Sequence, residues 1–210
     1  MSDLVGGPAW IGASPLVLAS RSTARRDLLL SCGIVPELTA ADVDERALET
    51  ELTARGALPS VIARRLAGAK ADLVSRSLPG RHVLGADQVL AFQDRSWAKA
   101  EDRGDAASRL NRLAGHTHYL VSACAVARDG ALLYEATEIA EMRMRELSGT
   151  EIKTYLDLAG SDALGSVGCY RIEGLGRLLF EGVSSDHAVI LGLPLASVLR
   201  YFRSAGLIGL

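Results

Sequence analysis

The apolar run Leu16-Val17-Leu18-Ala19 passes directly into the stretch Ser20-Arg21-Ser22-Thr23-Ala24-Arg25-Arg26, and this into Asp27-Leu28-Leu29-Leu30. That order reads as a buried strand, a hydroxyl-rich turn and the first turn of a helix carrying guanidinium groups. A helix start offers unpaired backbone N–H groups and the positive end of the macrodipole, so an anion is favoured there. The two serines and the adjacent arginines add donors that suit phosphate oxygens. The formal net charge is only -2, so any attraction for a polyanion has to be local.

Strand-like and helix-like stretches continue to interleave downstream, which places the chain in the α/β class. The first helix ends near Gly33, and Ile34 to Thr39 reads as a second strand. Asp42-Val43-Asp44-Glu45 is an acidic turn leading into a helix, where carboxylates are favourable. Pro59 opens a longer helix with Val61, Ile62, Leu66, Ala69 and Leu73 at helical spacing, and Lys70 lies on it. His82 to Ala86 reads as a buried strand ending in Asp87, with Val89 to Phe92 as the next strand. Asp105 to Leu113 is a helix, and His118 to Arg128 with Ala131 to Ile139 form a hairpin around Asp129-Gly130. A helix follows from Gly149-Thr150, then a glycine-rich stretch from Gly160 to Gly176, a strand at Leu178 to Phe180, and an amphipathic helix after Pro194. Residues 1–14, with Gly6-Gly7-Pro8 and Gly12, read as a flexible or loosely packed extension, leaving 15–210 as a single domain.

A chain of 210 residues that is 49% hydrophobic can bury one good core, as one body or two lobes. Its mixed charge argues against a nucleic-acid coat or a polybasic membrane binder. The N-terminus has neither a basic leader nor an apolar span, so a cytoplasmic protein is expected. Cys32, Cys124 and Cys169 are widely spaced and form no CxxC pair, which fits reduced thiols and no zinc site.

Asp87 is the leading candidate for chemistry. At the end of an apolar strand, a carboxylate can hold a divalent cation through hard oxygens or take a proton from water. The alternative is a turn aspartate between two strands. Lys70 and Lys99 are rare lysines in an arginine-rich chain, either point charges for phosphate or solvated surface groups. His116 and His118 would face the same side of a strand, but no third ligand lies nearby, which favours structural roles. No GxSxG elbow and no Cys–His pairing is present, so covalent hydrolysis has little support.

In order along the chain, these segments resemble the Maf family of nucleoside triphosphate pyrophosphatases. The family opening L-A-S-x-S-P-R-R-x-x-L-L stands as Leu18 to Leu29, with Thr23 and Ala24 where Pro and Arg are usual. V-D-E matches Val43-Asp44-Glu45, and K-A matches Lys70-Ala71. G-A-D-T matches Gly85-Ala86-Asp87-Gln88, and G-K-P matches Ala98-Lys99-Ala100. L-x-G-x-x-H matches Leu113 to His118, and G-A-Y-x-I-Q-G matches Gly168 to Gly174, with Glu173 for glutamine. G-D-Y-x-x-V-x-G-L-P matches Ser185 to Pro194, with Ser185, His187 and Ala188 replacing the Gly-Asp-Tyr neighbourhood around Asp186.

The resemblance implies an elongated α/β fold, a mixed sheet with flanking helices and two lobes around a central cleft, often as a homodimer. It implies cleavage of a nucleoside triphosphate between the α- and β-phosphates with a divalent metal, Mg2+ or Mn2+. The substrate would be a non-standard, modified or pyrimidine nucleotide; no nucleic acid polymer or membrane is expected as a partner. By position, Ser20, Ser22 and Arg25 would hold phosphates, and Lys70 and Lys99 would neutralise charge. Asp87 would bind metal or activate water, with Asp44 as a second acidic ligand, and Glu173 would face base or sugar. The alternative is a catalytically weakened nucleotide-sensing or septum-associated binding protein.

Overall fold

The computed structural model describes residues 6–93 and 95–209. The opening motif forms β1 (Val17–Ala19) and α1 (Thr23–Ser31). β2 (Glu37–Leu38), α2 (Glu45–Ala54) and α3 (Pro59–Ser77) follow. Next come β3 (Val83–Phe92), β4 (Arg95–Trp97), α4 (Arg103–Leu113), β5 (Thr117–Arg128) and β6 (Ala131–Met144). The chain ends with α5 (Gly149–Ala159), two 3-10 segments (Gly160–Gly165 and Leu175–Leu179), β7 (Phe180–Ser184), α6 (His187–Ile190) and α7 (Leu195–Ser204). Among the described residues, no helix is long and apolar enough to cross a membrane.

The strands make one seven-stranded mixed sheet in the order β2-β1-β3-β5-β6-β7, with β4 on β3. β1 pairs in parallel with β2 and β3, and the remaining ladders are antiparallel. The parallel part carries the crossover helices, as strand–helix–strand connections require.

Side chains alternate across a strand, and in β3 this alternation separates three clusters. Leu84 and Ala86 join a core with Leu18, Leu29, Trp10 and Phe202. Leu90 and Phe92, on the same face further along, join a second core with Leu110, Met142, Tyr155 and Tyr170. Val89 faces the other way, onto Ile62, Leu66 and Ala67 of α3. The residue between the two same-face cores is Gln88, which also lines the cleft.

Three sequence expectations change. Asp87 lies in the middle of one continuous strand rather than in a turn between two, because Val83–Phe92 pairs unbroken with β5 from Val83 to Ala91. Leu178 and Leu179 belong to a 3-10 segment, and strand β7 begins at Phe180. Residues 6–14 are packed, not loose; residues 1–5 lie outside the described ones. Trp10 is only 2% exposed, meets Phe202 edge-on at 5.2 Å, and bridges to Ile208, while Ala9 N donates to Gly33 O at 3.1 Å. Burying so large a ring outweighs the freedom that the neighbouring glycines retain in the unfolded chain.

Candidate active site

Asp87 and Lys70 meet because β3 and α3 approach closely. At Gly85 a Cβ would come within 2.3 Å of Ala67 O and 2.7 Å of Ala71 N, so only glycine lets the helix lie this near the strand. Lys70 Nζ then reaches Asp87 Oδ1 at 2.6 Å and Glu45 Oε2, at the start of α2, at 2.9 Å. Both members of the inner pair are buried. Burial pushes the Asp87 carboxyl above the usual range; Lys70 and Arg25 pull it back, and Glu45 adds to the rise. Glu49, one turn after Glu45, is also pushed up, first by burial and then by the charges of Asp87 and Glu45.

The turn after β1 forms the facing cradle. Ser22 caps α1, its Oγ accepting from Arg25 N at 3.4 Å, and Ser20 Oγ accepts from Ser22 N at 3.2 Å. Among the described residues neither hydroxyl proton is given to an acceptor, so both remain donors to the cleft. Arg25 Nη1 donates to Ser20 Oγ (3.2 Å) and Ala86 O (2.9 Å), and its Nε donates to Gly192 O (2.8 Å). The guanidinium thus ties α1 to β3 beside Asp87 and to the loop before α7. Burial lowers its pKa, and the charges of Asp87 and Glu45 raise it.

The sequence candidates fall unevenly. Ser20, Ser22, Arg25, Lys70, Asp87, Lys99 and Glu173 all line one cavity of about 960 Å³. Lys99 stands exposed at its rim, with no ion-pair partner among the described residues. Glu173 is paired with Arg171 (2.9 Å), which offsets its charge. Asp44 stands apart from these: its carboxylate accepts from Ala47 N at 2.9 Å and caps α2, and it is not among the residues lining the cavity. Its neighbour Glu45 points inward instead. Sequence reasoning missed both Glu45 and Glu49, although their four-residue spacing after the V-D run puts them on one helix face. Gln88, beside Asp87, places its Nε2 within reach of Ser122 Oγ (3.0 Å), Val189 O (3.1 Å) and Ile190 O (2.9 Å), stitching β3 to α6. His116 and His118 do not act together: His116 Nδ1 contacts Ala114 O, and the buried His118 contacts Tyr170.

Among the described residues, six cationic and seven acidic side chains line the cavity, so these do not offer a net positive field to a polyanion. Among the described residues no three His, Cys, Asp or Glu side chains converge to hold an ion unaided. That donor set still fits Mg2+ or Mn2+, which commonly takes one or two carboxylates and completes its shell with water and substrate phosphates. Asp87 and Glu45 supply those hard oxygens, each with one carboxylate oxygen left over from Lys70.

The family profile described as Maf-like protein matches residues 15–205. A protein named nucleoside triphosphate pyrophosphatase from Rhodopseudomonas palustris (strain BisB18) is 47% identical over 201 residues, covering 95% of this chain and 98% of its own. A protein of the same name from Bradyrhizobium diazoefficiens is 45% identical over 199 residues, with coverage of 95% and 98%. Nucleoside triphosphate pyrophosphatase 1 of Jannaschia sp. (strain CCS1) is 42% identical over 195 residues, with coverage of 93% and 98%. The chain belongs to the Maf-like protein family.

Proposed function

We propose that this Maf-like chain hydrolyses a nucleoside triphosphate to the monophosphate and pyrophosphate, with Mg2+ or Mn2+, and that its substrate is a non-standard, modified or pyrimidine nucleotide. The observation that carries the reading is the buried Asp87–Lys70 pair set beside a turn of free hydroxyl donors and a buried guanidinium. Phosphoryl transfer needs positioning and charge stabilisation more than covalent help, and the cleft supplies both. The names of the relatives in three bacterial genera support the same chemistry.

In this mechanism Asp87 accepts a proton from the water that attacks the α-phosphorus. A carboxyl whose pKa is raised by burial is better matched to that task than an ordinary aspartate. Lys70 holds Asp87 by one oxygen and keeps its ionised form accessible. The bond between the α-phosphorus and the bridging oxygen breaks, and pyrophosphate leaves with that oxygen. Ser20 and Ser22 donate hydroxyl protons to the phosphate chain, and Arg25 and Lys99 offset its charge. A divalent cation held by Glu45 and the substrate phosphates would supply the positive charge that the cavity itself lacks, leaving the second Asp87 oxygen to the water.

A screen of canonical and modified triphosphates, with and without Mg2+ or Mn2+, tests the proposal by reading pyrophosphate release. Release that requires the cation supports it. Tight binding without release points to a nucleotide sensor, and orthophosphate as the product points to a terminal phosphatase.

A further inference from the structure

Across the cleft from the phosphate cradle runs Ser166–Glu173, a wall of almost no regular structure that is fixed from beneath by polar contacts. Ser166 Oγ donates to Tyr170 O at 2.6 Å and accepts from Tyr170 N at 2.9 Å, and Tyr155 Oη donates to Cys169 O at 3.1 Å. Tyr170 itself lies between wall and core. It lines the cavity, meets Phe180 edge-on at 4.7 Å, and places its Oη 2.6 Å from Nε2 of His118 on β5. Gly168 leaves room for this ring, since a Cβ there would come within 2.3 Å of Tyr170 Cε1.

The imidazole is an expensive way to fill that space. His118 is 0% exposed, and its Nδ1 has no hydrogen-bond partner among the described residues. Burial holds the ring neutral by lowering its pKa to about 4. An apolar side chain would pack there without stranding a ring nitrogen, so packing alone does not account for the histidine. What the imidazole adds is one directional bond, and that bond selects a single placement of the Tyr170 ring.

We infer that His118 is a positioning residue, whose Nε2–Oη bond to Tyr170 sets the cleft wall that receives the nucleoside half of the substrate. Val167, Tyr170 and Ile172 of the wall line the cavity as surfaces suited to a base and sugar, alongside the polar Ser166, Arg171 and Glu173. The inference rests on the pyrophosphatase reading for its substrate. Loosening the wall weakens ground state and transition state alike, which raises KM and leaves kcat nearly unchanged.

The test compares wild type with Tyr170→Phe, His118→Leu, His118→Gln and the Tyr170→Phe/His118→Leu double variant. ATP, GTP, CTP, UTP and dTTP serve as substrates, and calorimetry gives the affinity for the corresponding monophosphates and for pyrophosphate. Tyr170→Phe and His118→Leu are each expected to raise KM and weaken monophosphate binding by about tenfold, a typical value for one lost directional contact. Pyrophosphate affinity and kcat should stay within about twofold. The double variant should be no worse than the worse single one, and His118→Gln, whose amide reaches about as far as Nε2, should recover part of the loss. Unchanged nucleotide affinity in Tyr170→Phe overturns the inference, as do additive losses in the double variant. If His118→Leu does not fold, Tyr170→Phe alone decides. A wild-type chain that binds these nucleotides but releases no pyrophosphate breaks the pyrophosphatase reading, while the affinity ratios still decide the role of His118.

Discussion

Ser20, Ser22 and Arg25 lie within six consecutive positions, and the turn that holds them is closed largely by its own atoms. The opposite wall, Ser166–Glu173, also closes on itself through Ser166 and Tyr170, but it adds bonds to other elements, from Tyr155 to Cys169 and, over 52 residues, from His118 to Tyr170. The cradle's hydroxyls are therefore set by local chemistry, with Arg25 alone reaching to Ala86 and Gly192, whereas the nucleoside wall also depends on the packing of Cys169, Tyr170 and Ile172 in the second core. Local closure suits the invariant part of the substrate, the phosphate chain. Distributed support suits the part that differs between nucleotides, because small core changes can move such a wall without disturbing the chemistry.

The largest expected effect falls between the two walls. Asp87→Asn should lower kcat by on the order of 10²–10⁴, the range for a lost acid–base group. The check is pyrophosphate release by a variant with an unchanged circular dichroism spectrum. Because burial raises the Asp87 pKa and Lys70 opposes that rise, the acid limb of kcat/KM should lie above the ordinary carboxylate range. Lys70→Met should shift that limb further upward, since ionising Asp87 then lacks its nearest counter-charge.

On the cradle side, Arg25→Lys cannot reproduce a fork that bonds Gly192 O, Ala86 O and Ser20 Oγ together. It should weaken pyrophosphate binding by on the order of tenfold to a hundredfold, matching about 1.5–3 kcal/mol for hydrogen bonds to a charged group. Calorimetry reads this directly. If the nucleoside-wall variants weaken pyrophosphate binding equally, the division of labour between the walls is wrong.

On the distant wall, the buried His118 predicts how stability responds to acid. Its pKa falls from 6.5 to about 4 on folding, so the unfolded chain takes up the proton first. The stabilisation is complete above pH 6.5 and is lost as pH falls toward 4. At about 1.4 kcal/mol per pKa unit, the loss approaches about 3 kcal/mol. Urea unfolding at a series of pH values should show this decline in wild type and a shallower one in His118→Phe. The smallest effect belongs to Glu173→Gln. Arg171 already offsets its charge, and an exposed pair contributes about 0–1 kcal/mol, so KM should change by less than about threefold.

The same contrast explains what could be read from sequence. Ser20, Ser22 and Arg25 were legible because a strand–turn–helix junction is a local pattern with a local electrostatic consequence. Lys70 and Asp87 could be named as separate candidates, but their pairing could not, since it depends on how closely Gly85 lets α3 approach β3. The different placements of Asp44 and Glu45 are hidden for a similar reason. Both are acidic at a helix start, and only the helix direction decides which one caps and which turns inward. Residues 6–14 read as loose from their glycines, because the Trp10 contacts that pack them lie near the other end of the chain. The alternation of α and β elements required no such long-range knowledge.

Hydrolysis in ¹⁸O-labelled water tests the central claim most directly, with ³¹P NMR and mass spectrometry of the products. Attack at the α-phosphorus predicts one pyrophosphate per turnover, unlabelled, and one ¹⁸O in the nucleoside monophosphate. Orthophosphate with nucleoside diphosphate, or label in the pyrophosphate, would contradict the account.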